Sequence, residues 1–309
     1  MFNFNFMRFM LFGILFSSLV AAGCGTDRTE ADDVSGDAGT DLNYSEEMDF
    51  TITGVDLGAG QTEVINNAIE AYDSLDGWEQ DTASVAAMLA ELDGAVENKE
   101  PIAVAAWSPH FKFSQYDLKY LEDPEGVFGE GETMRTIART GLEEDLPGAY
   151  AILDSIQFEM ETIEEAVLQG SDPESDYTQI AREWAEENQE TIEGWLSGAA
   201  PAEGEPVSLV ATHREDSLFT ANVAAAALSR HGFDVTLTVL DTLALFEAIA
   251  SGDADASLSP WLPVTDETYY NEYSNQIDDL GTHTEGAKIG IAVPEYMNID
   301  SLEDLEPKE

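Results

Sequence analysis

The sequence predicts an α/β protein built from two related lobes joined by a hinge. Three observations carry that reading. First, the chain echoes itself. DFTITGVDLGAG from Asp49 and PVSLVATHRED from Pro206 are short β-branched runs, each leading into an Ala-containing amphipathic helix, about Gln61–Tyr72 and Leu218–His231. Second, PIAVAAWSPH (Pro101–His110) and ADASLSPWLP (Ala254–Pro263) each place a Trp after a strand of small and apolar residues, with a Pro two places later. Third, DVTLTVLD, the helical run LALFEAIASGDA and the second Trp strand follow one another in the strand–helix–strand rhythm of a parallel sheet. Repetition of the same unit at a fixed offset is most simply two related lobes.

The N-terminus stands apart from this pattern. Residues 1–23 carry one positive charge, Arg8, then an apolar stretch too short to span a bilayer comfortably, ending in VAAG before Cys24. Cys24 is the only cysteine, so no intrachain disulfide forms. Its place directly after small residues fits a bacterial lipoprotein site whose thiol takes the lipid anchor, although Ala21 stands where such sites usually have Leu. An ordinary signal peptide is the plainer alternative. Residues 24–48 are mostly Asp, Gly, Thr, Ser and Glu and are expected to be a disordered tether. Residues 49–200 are expected to hold lobe 1 and a helical region from about Met134 to Trp195. Ala199–Pro206 is a linker by composition, and residues 201–309 are expected to form lobe 2.

Composition narrows the function. Twelve Lys+Arg against 63 Asp+Glu give a formal net charge of −51. Nucleic acid and anionic membrane faces need a basic patch, so neither is an expected partner beyond the lipid anchor itself. With 43% hydrophobic residues the chain has ample material for a core, which excludes a wholly disordered acidic tail. Carboxylates spread along the whole chain, with only five Lys, fit a protein kept soluble in concentrated salt. No GxSxG elbow, HExxH helix or Walker A loop occurs, and no pair of acids is marked out for catalysis. No catalytic residue, metal site or cofactor is therefore expected. An exported, anchored, two-lobed α/β chain reads as a hinged solute-binding protein that closes on its ligand.

Four segments then resemble a known family. AAWSPHFKFSQYDLKYLEDP (Ala105–Pro124), GVDLGAG (Gly54–Gly60), SGDADASLSPWLPVT (Ser251–Thr265) and GAKIGIAVPEYM (Gly286–Met297) are similar, in the same order, to the OpuAC-like substrate-binding subunits of glycine betaine ABC importers. The resemblance implies a type II periplasmic-binding-protein-like fold, extracytoplasmic location, an ABC permease and ATPase as partners, and a small osmolyte as ligand. It places Trp107 and Trp261 in an aromatic cage for a quaternary ammonium, and the ligand carboxylate on the amides of Gly60 and Gln61. The chemistry is coherent: such a cation offers no N–H and is held by aromatic faces, while helix N-terminal amides attract anions. Taken alone, each Trp could equally be a core residue and the Gly turn a tight strand-to-helix connection. Trp78, Trp184 and Trp195 are read as core, and His110 as supporting rather than binding.

Two positions depart from the family pattern. Arg214, or His213 if the alignment slips by one, stands where the family has a third cage Trp. Asp266 stands five places after Trp261, where the family has a carboxylate-holding His. Either Arg214 anchors the carboxylate with Asp266 positioning it, or the ligand is another onium or basic solute such as choline, carnitine or an ectoine-like compound, or both residues are solvated. A binding protein that feeds a sensor rather than a transporter is a further alternative.

Overall fold

Two β-sheets share one long strand near the C-terminus. The computed structural model describes residues 43–309 except residue 173. The signal segment, Cys24 and most of the expected tether lie outside the described residues.

The first sheet is assembled from α1 (Tyr44–Glu47), β1 (Thr51–Thr53), α2 (Gly60–Ala71), β2 (Glu79–Asp81), α3 (Val85–Asn98), β3 (Val104–Ser108), α4 (Lys112–Gln115) and β4 (Leu118–Tyr120). The chain then runs through a Gly-containing segment into β5 (Glu132–Arg139). Helices α5 (Leu142–Asp145), α6 (Pro147–Ser155), α7 (Met160–Gly170), α8 (Tyr177–Glu187) and α9 (Gln189–Leu196) follow. The second set of alternating elements is β6 (Pro206–Ala211), α10 (Glu215–His231), β7 (Asp234–Val239), α11 (Thr242–Ser251), β8 (Ala256–Ser257), β9 (Trp261–Leu262) and α12 (Glu267–Tyr273), and the eighteen-residue β10 (Ile277–Pro294) comes last.

Strand order runs β2-β1-β3-β10 in one lobe and β10-β5-β8-β6-β7 in the other. β1 pairs in parallel with β2 and β3, and β6 pairs in parallel with β7 and β8, so the two halves repeat one arrangement. β10 is antiparallel to all three of its partners. Its residues through Ala287 pair with β5, Lys288–Ala292 with β3 and Ala292–Pro294 with β4. The chain therefore crosses between lobes twice, in the segment before Glu132 and at Ala287–Lys288, and these crossings lie side by side. That architecture is a two-lobed, type II periplasmic-binding-protein-like fold.

Sheet pairing revises the expected boundaries. Among the described residues, lobe 1 comprises those from Asn43 up to the crossing before Glu132 together with those from Lys288 to the end; lobe 2 comprises Glu132–Ala287. The helical region expected with lobe 1 packs on lobe 2, where Arg230 of α10 bonds Glu193 of α9 and His231 bonds the Ala200 carbonyl. Its expected start, Met134, is in a strand: Glu132–Thr136 alternates buried and half-buried positions, the period-two pattern of β-structure. The tether also ends earlier than residue 48. Ser45 is buried and accepts from the Glu306 amide at 2.8 Å, while Trp78 Nε1 donates to the Glu306 carbonyl at 2.9 Å. Tyr44 and Met48 supply the apolar contacts that the acidic composition hides.

Local chemistry sets the elements that carry the site. β3 reads VAAWS and is buried on both faces, as expected of a strand covered by helices. Small residues on α10 (Ala221, Ala224, Ala227) are buried and let it pack closely. Gly232 closes α10 at φ 114°, a left-handed turn that glycine makes without a Cβ clash. Among the described residues no helix is long and apolar enough to cross a membrane.

Candidate ligand-binding site

A cavity of about 640 Å³ lies where the two lobes meet. Lobe 1 contributes the turn Val55–Gln61, Ser84–Ala86, Trp107 and Ile289; lobe 2 contributes Thr212–Glu215, Leu240–Thr242, Trp261 and Thr265. Strand ends meeting across a crevice are where open α/β sheets take ligands. Of the residues singled out in the sequence, Trp107, Trp261, Gly60, Gln61, His213 and Arg214 all line this one cavity.

The two Trp come from matching places. Trp107 is on β3 and Trp261 on β9, and both are nearly fully buried, at 4% and 1% exposed. Each is followed by a cis X–Pro bond, Ser108–Pro109 and Leu262–Pro263. Their surroundings differ. Trp261 Nε1 donates to Asp216 Oδ2 at 3.0 Å, and its backbone N–H to Asp266 Oδ2 at 2.8 Å. Trp107 Nε1 has no hydrogen-bond partner among the described residues. His110 meets the Trp107 ring edge-on at 4.5 Å, in the supporting place expected of it.

Arg214 is the N-cap residue of α10. Its guanidinium lies over the Trp261 ring, 4.8 Å from the centroid, and bonds both Asp216 oxygens and the Ser259 carbonyl. Burial opposes its charge, but Asp216, Asp266 and Glu132 outweigh burial and raise its pKa further. His213 is mostly exposed, with Nε2 3.9 Å from Asp241 Oδ1. It is the Arg, not the His, that holds the Trp261 face.

Gly60 is the first residue of α2, so its amide and that of Gln61 have no acceptor within the helix. The Gln61 side chain turns inward and donates to the Ala106 and Gly290 carbonyls, fixing the helix start against β3 and β10. A methyl group on Gly60 would overlap the Thr265 carbonyl oxygen of the other lobe, so glycine here permits the two lobes to touch.

Asp266 lies just behind the cavity wall, 1% exposed. Its Oδ1 has no partner among the described residues and stands 3.0 Å from where a Gly60 methyl carbon would be, facing the start of α2. Burial pushes its pKa up to about 6, against the lowering effects of Arg214 and the Trp261 amide. Glu132 accepts from the amides of Val264 and Thr265 at 3.0 and 2.7 Å and from the Thr265 hydroxyl, which fixes the turn presenting Asp266.

Several residues of the site were not legible in the sequence. Asp216 bonds both Arg214 and Trp261, yet in sequence it is one of two acids opening a helix, the ordinary complement to a helix dipole. Lys112 is fully buried. Its Nζ stands 3.4 Å above the Trp107 ring centroid. The one available signal was its rarity, a Lys in a Lys-poor chain within a motif already singled out. His283 is buried in β10 and bonds the Leu258 carbonyl and Thr284; burial lowers its pKa to about 4.

A hinged two-lobed α/β protein with an aromatic, charge-lined cavity between its lobes is a solute-binding protein. The model of the substrate binding domain of ABC-type glycine betaine transport systems (OpuAC) matches residues 29–187 and 205–309. The chain is 38% identical over 290 residues to the glycine betaine/carnitine transport binding protein GbuC of Listeria monocytogenes, covering 92% of this chain and 93% of that protein. Among solved structures, lactococcal OpuAC complexed with glycine betaine is 34% identical (TM-score 0.46, 48% of this chain and 58% of that one). An ABC-transporter choline binding protein in complex with choline is 23% identical (TM-score 0.46, 61% of each chain). This chain belongs to the OpuAC family of ABC-importer substrate-binding proteins. It is an extracytoplasmic binding component that serves an ABC transporter, and not an enzyme.

Proposed function

We propose that the interlobe cavity binds glycine betaine or a related quaternary ammonium osmolyte and that the protein delivers it to its ABC permease. One observation carries the reading: Trp107 and Trp261, from matching strand ends of opposite lobes, line the same cavity. Closure then brings aromatic faces to a desolvated cation from both sides, where the low dielectric strengthens the attraction. In this reading Arg214 receives the ligand carboxylate. It already lies in the cavity on Trp261, with Asp216 orienting its fork.

A specific observation favours a second ligand class. The free Oδ1 of Asp266 lies beside the start of α2, close to where a ligand carboxylate would sit in that reading. With Asp56, Glu215 and Asp241 also around the cavity, a cation lacking a carboxylate, such as choline, meets less repulsion there. The deciding experiment is calorimetric titration with glycine betaine, proline betaine, carnitine, choline, ectoine and dimethylsulfoniopropionate at low and high salt. Binding of a basic amino acid or polyamine with none of these would end the onium reading.

The same proposal includes the N-terminal features. Cys24 is the lipid attachment point, the segment before it is a cleaved signal, and the acidic stretch that follows spaces the lobes from the membrane. A net charge of −51 keeps such a protein dissolved in brine, and the ligand would help the cell balance that brine. Binding that survives molar salt is the minimum requirement of this link.

A further inference from the structure

Lys112 is the one lysine whose side chain is fully buried, and it is packed against a residue of the proposed site. Its ammonium nitrogen lies 3.4 Å from the Trp107 ring centroid and 5.6 Å from that of Phe113. It has no hydrogen-bond partner among the described residues. Trp107 lines the cavity and Lys112 does not, so the indole separates the amine from the ligand space. The ring thus has the Lys112 amine on one side and offers its remaining surface to the cavity.

We infer that Lys112 sets affinity and ligand choice: its amine competes with a bound quaternary ammonium for the quadrupole of the same indole. The inference rests on the proposed placement of the ligand cation against Trp107. Two like charges drawing on one ring repel through it and share a single negative quadrupole. A protonated Lys112 therefore weakens a cationic ligand, and a neutral one does not. Burial pushes the Lys112 pKa well below its ordinary value, with Glu215 of α10 acting in the opposite direction. His110, in the turn before α4, is the other titratable group acting beside it; burial and Lys112 push its own pKa down to about 2. Glu215 in turn answers to burial, Asp216 and Arg214 as well as to Lys112.

The test is calorimetry on the full two-lobed protein with glycine betaine and choline as probes between pH 5 and 10, comparing wild type, Lys112→Met and Lys112→Leu. Both variants replace a buried amine with an apolar chain of similar length or bulk, and their thermal stability is measured alongside. At pH 5 both variants are expected to bind about two- to fivefold more tightly than wild type, the scale of a partial cation–π contribution. The gap between wild type and the variants is expected to narrow as the pH rises. Equal or weaker binding by the variants at pH 5, or a gap that does not change with pH, overturns the inference. Trp107→Ala separates the two levels. Lost binding there with unchanged Lys112→Met affinity sinks this inference alone, whereas wild-type binding in Trp107→Ala sinks the placement of the ligand and the inference with it.

Discussion

Asp266→Asn isolates one buried charge and gives it a sign. Asp266 is 1% exposed, bonds the Trp261 amide through Oδ2, and leaves Oδ1 without a partner among the described residues. Burial raises its pKa from 3.8 to about 6. A carboxyl whose folded pKa lies above its unfolded one binds its proton more tightly in the fold. Folding stability is therefore unaffected by this group below about pH 4, falls as pH rises toward 6, and stays reduced above that. A shift of this size corresponds to about 3 kcal/mol at neutral pH. Asn keeps an oxygen for the Trp261 amide and removes the charge. The variant is expected to be more stable than wild type by about 1–3 kcal/mol at pH 7, part of the gain being lost with the Arg214 attraction. For a body of this size that is a rise in Tm of roughly 2–10 °C. Thermal unfolding by circular dichroism between pH 4 and 7.5 is the assay. The two proteins are expected to converge near pH 4 and diverge above it. A constant difference at every pH, or a variant less stable at pH 7, would refute the account of Asp266 as an undercompensated buried charge.

Three further outcomes test the site. Trp107→Ala and Trp261→Ala should each weaken onium binding by at least about 1 kcal/mol by calorimetry; wild-type affinity in either removes that ring from the site. Arg214→Ala leaves Asp216 and Asp266 without their guanidinium and should cost about 3–5 kcal/mol in denaturant unfolding. It should also reduce affinity for glycine betaine more than for choline, and unchanged betaine binding would refute the carboxylate role. Gly60→Ala puts a methyl group into the Thr265 carbonyl across the cleft, so ligand affinity should fall at least about tenfold. Alanine favours the helix itself, so small-angle scattering should show a ligand-mixed variant that stays more open than wild type.

The parts of the fold readable in advance were those written in short patterns. The β1–α2 and β6–α10 units, and the matched Trp strands, each lie within a few residues of sequence and carry their own periodicity. Lobe membership did not. It depends on β10 pairing with β5 up to Ala287 and with β3 from Lys288, contacts made across a large sequence separation. No local signal marks the residue where an eighteen-residue strand changes lobes. The helical region illustrates the same limit, because amphipathic helices record that they have a buried face and not which sheet covers it.

The site divides in the same way. Trp107 and Trp261 were singled out by their repeated place and by the family resemblance, Gly60 by its helix start and that resemblance, and Arg214 as a departure from the family pattern. Asp216, Glu132 and Lys112 have no such signal until their surroundings are known. In a chain with 63 acids any single carboxylate reads as solvated surface. By itself, the sequence determined the two-lobe plan, the aromatic chemistry of the cleft, the net charge and the family. Tertiary structure decided which charges lose their water. A buried carboxylate or ammonium is costly unless paired, so burial sets the raised pKa of Asp266, makes Asp216 the clamp on Arg214, and stands the Lys112 amine against the ring proposed to hold the ligand.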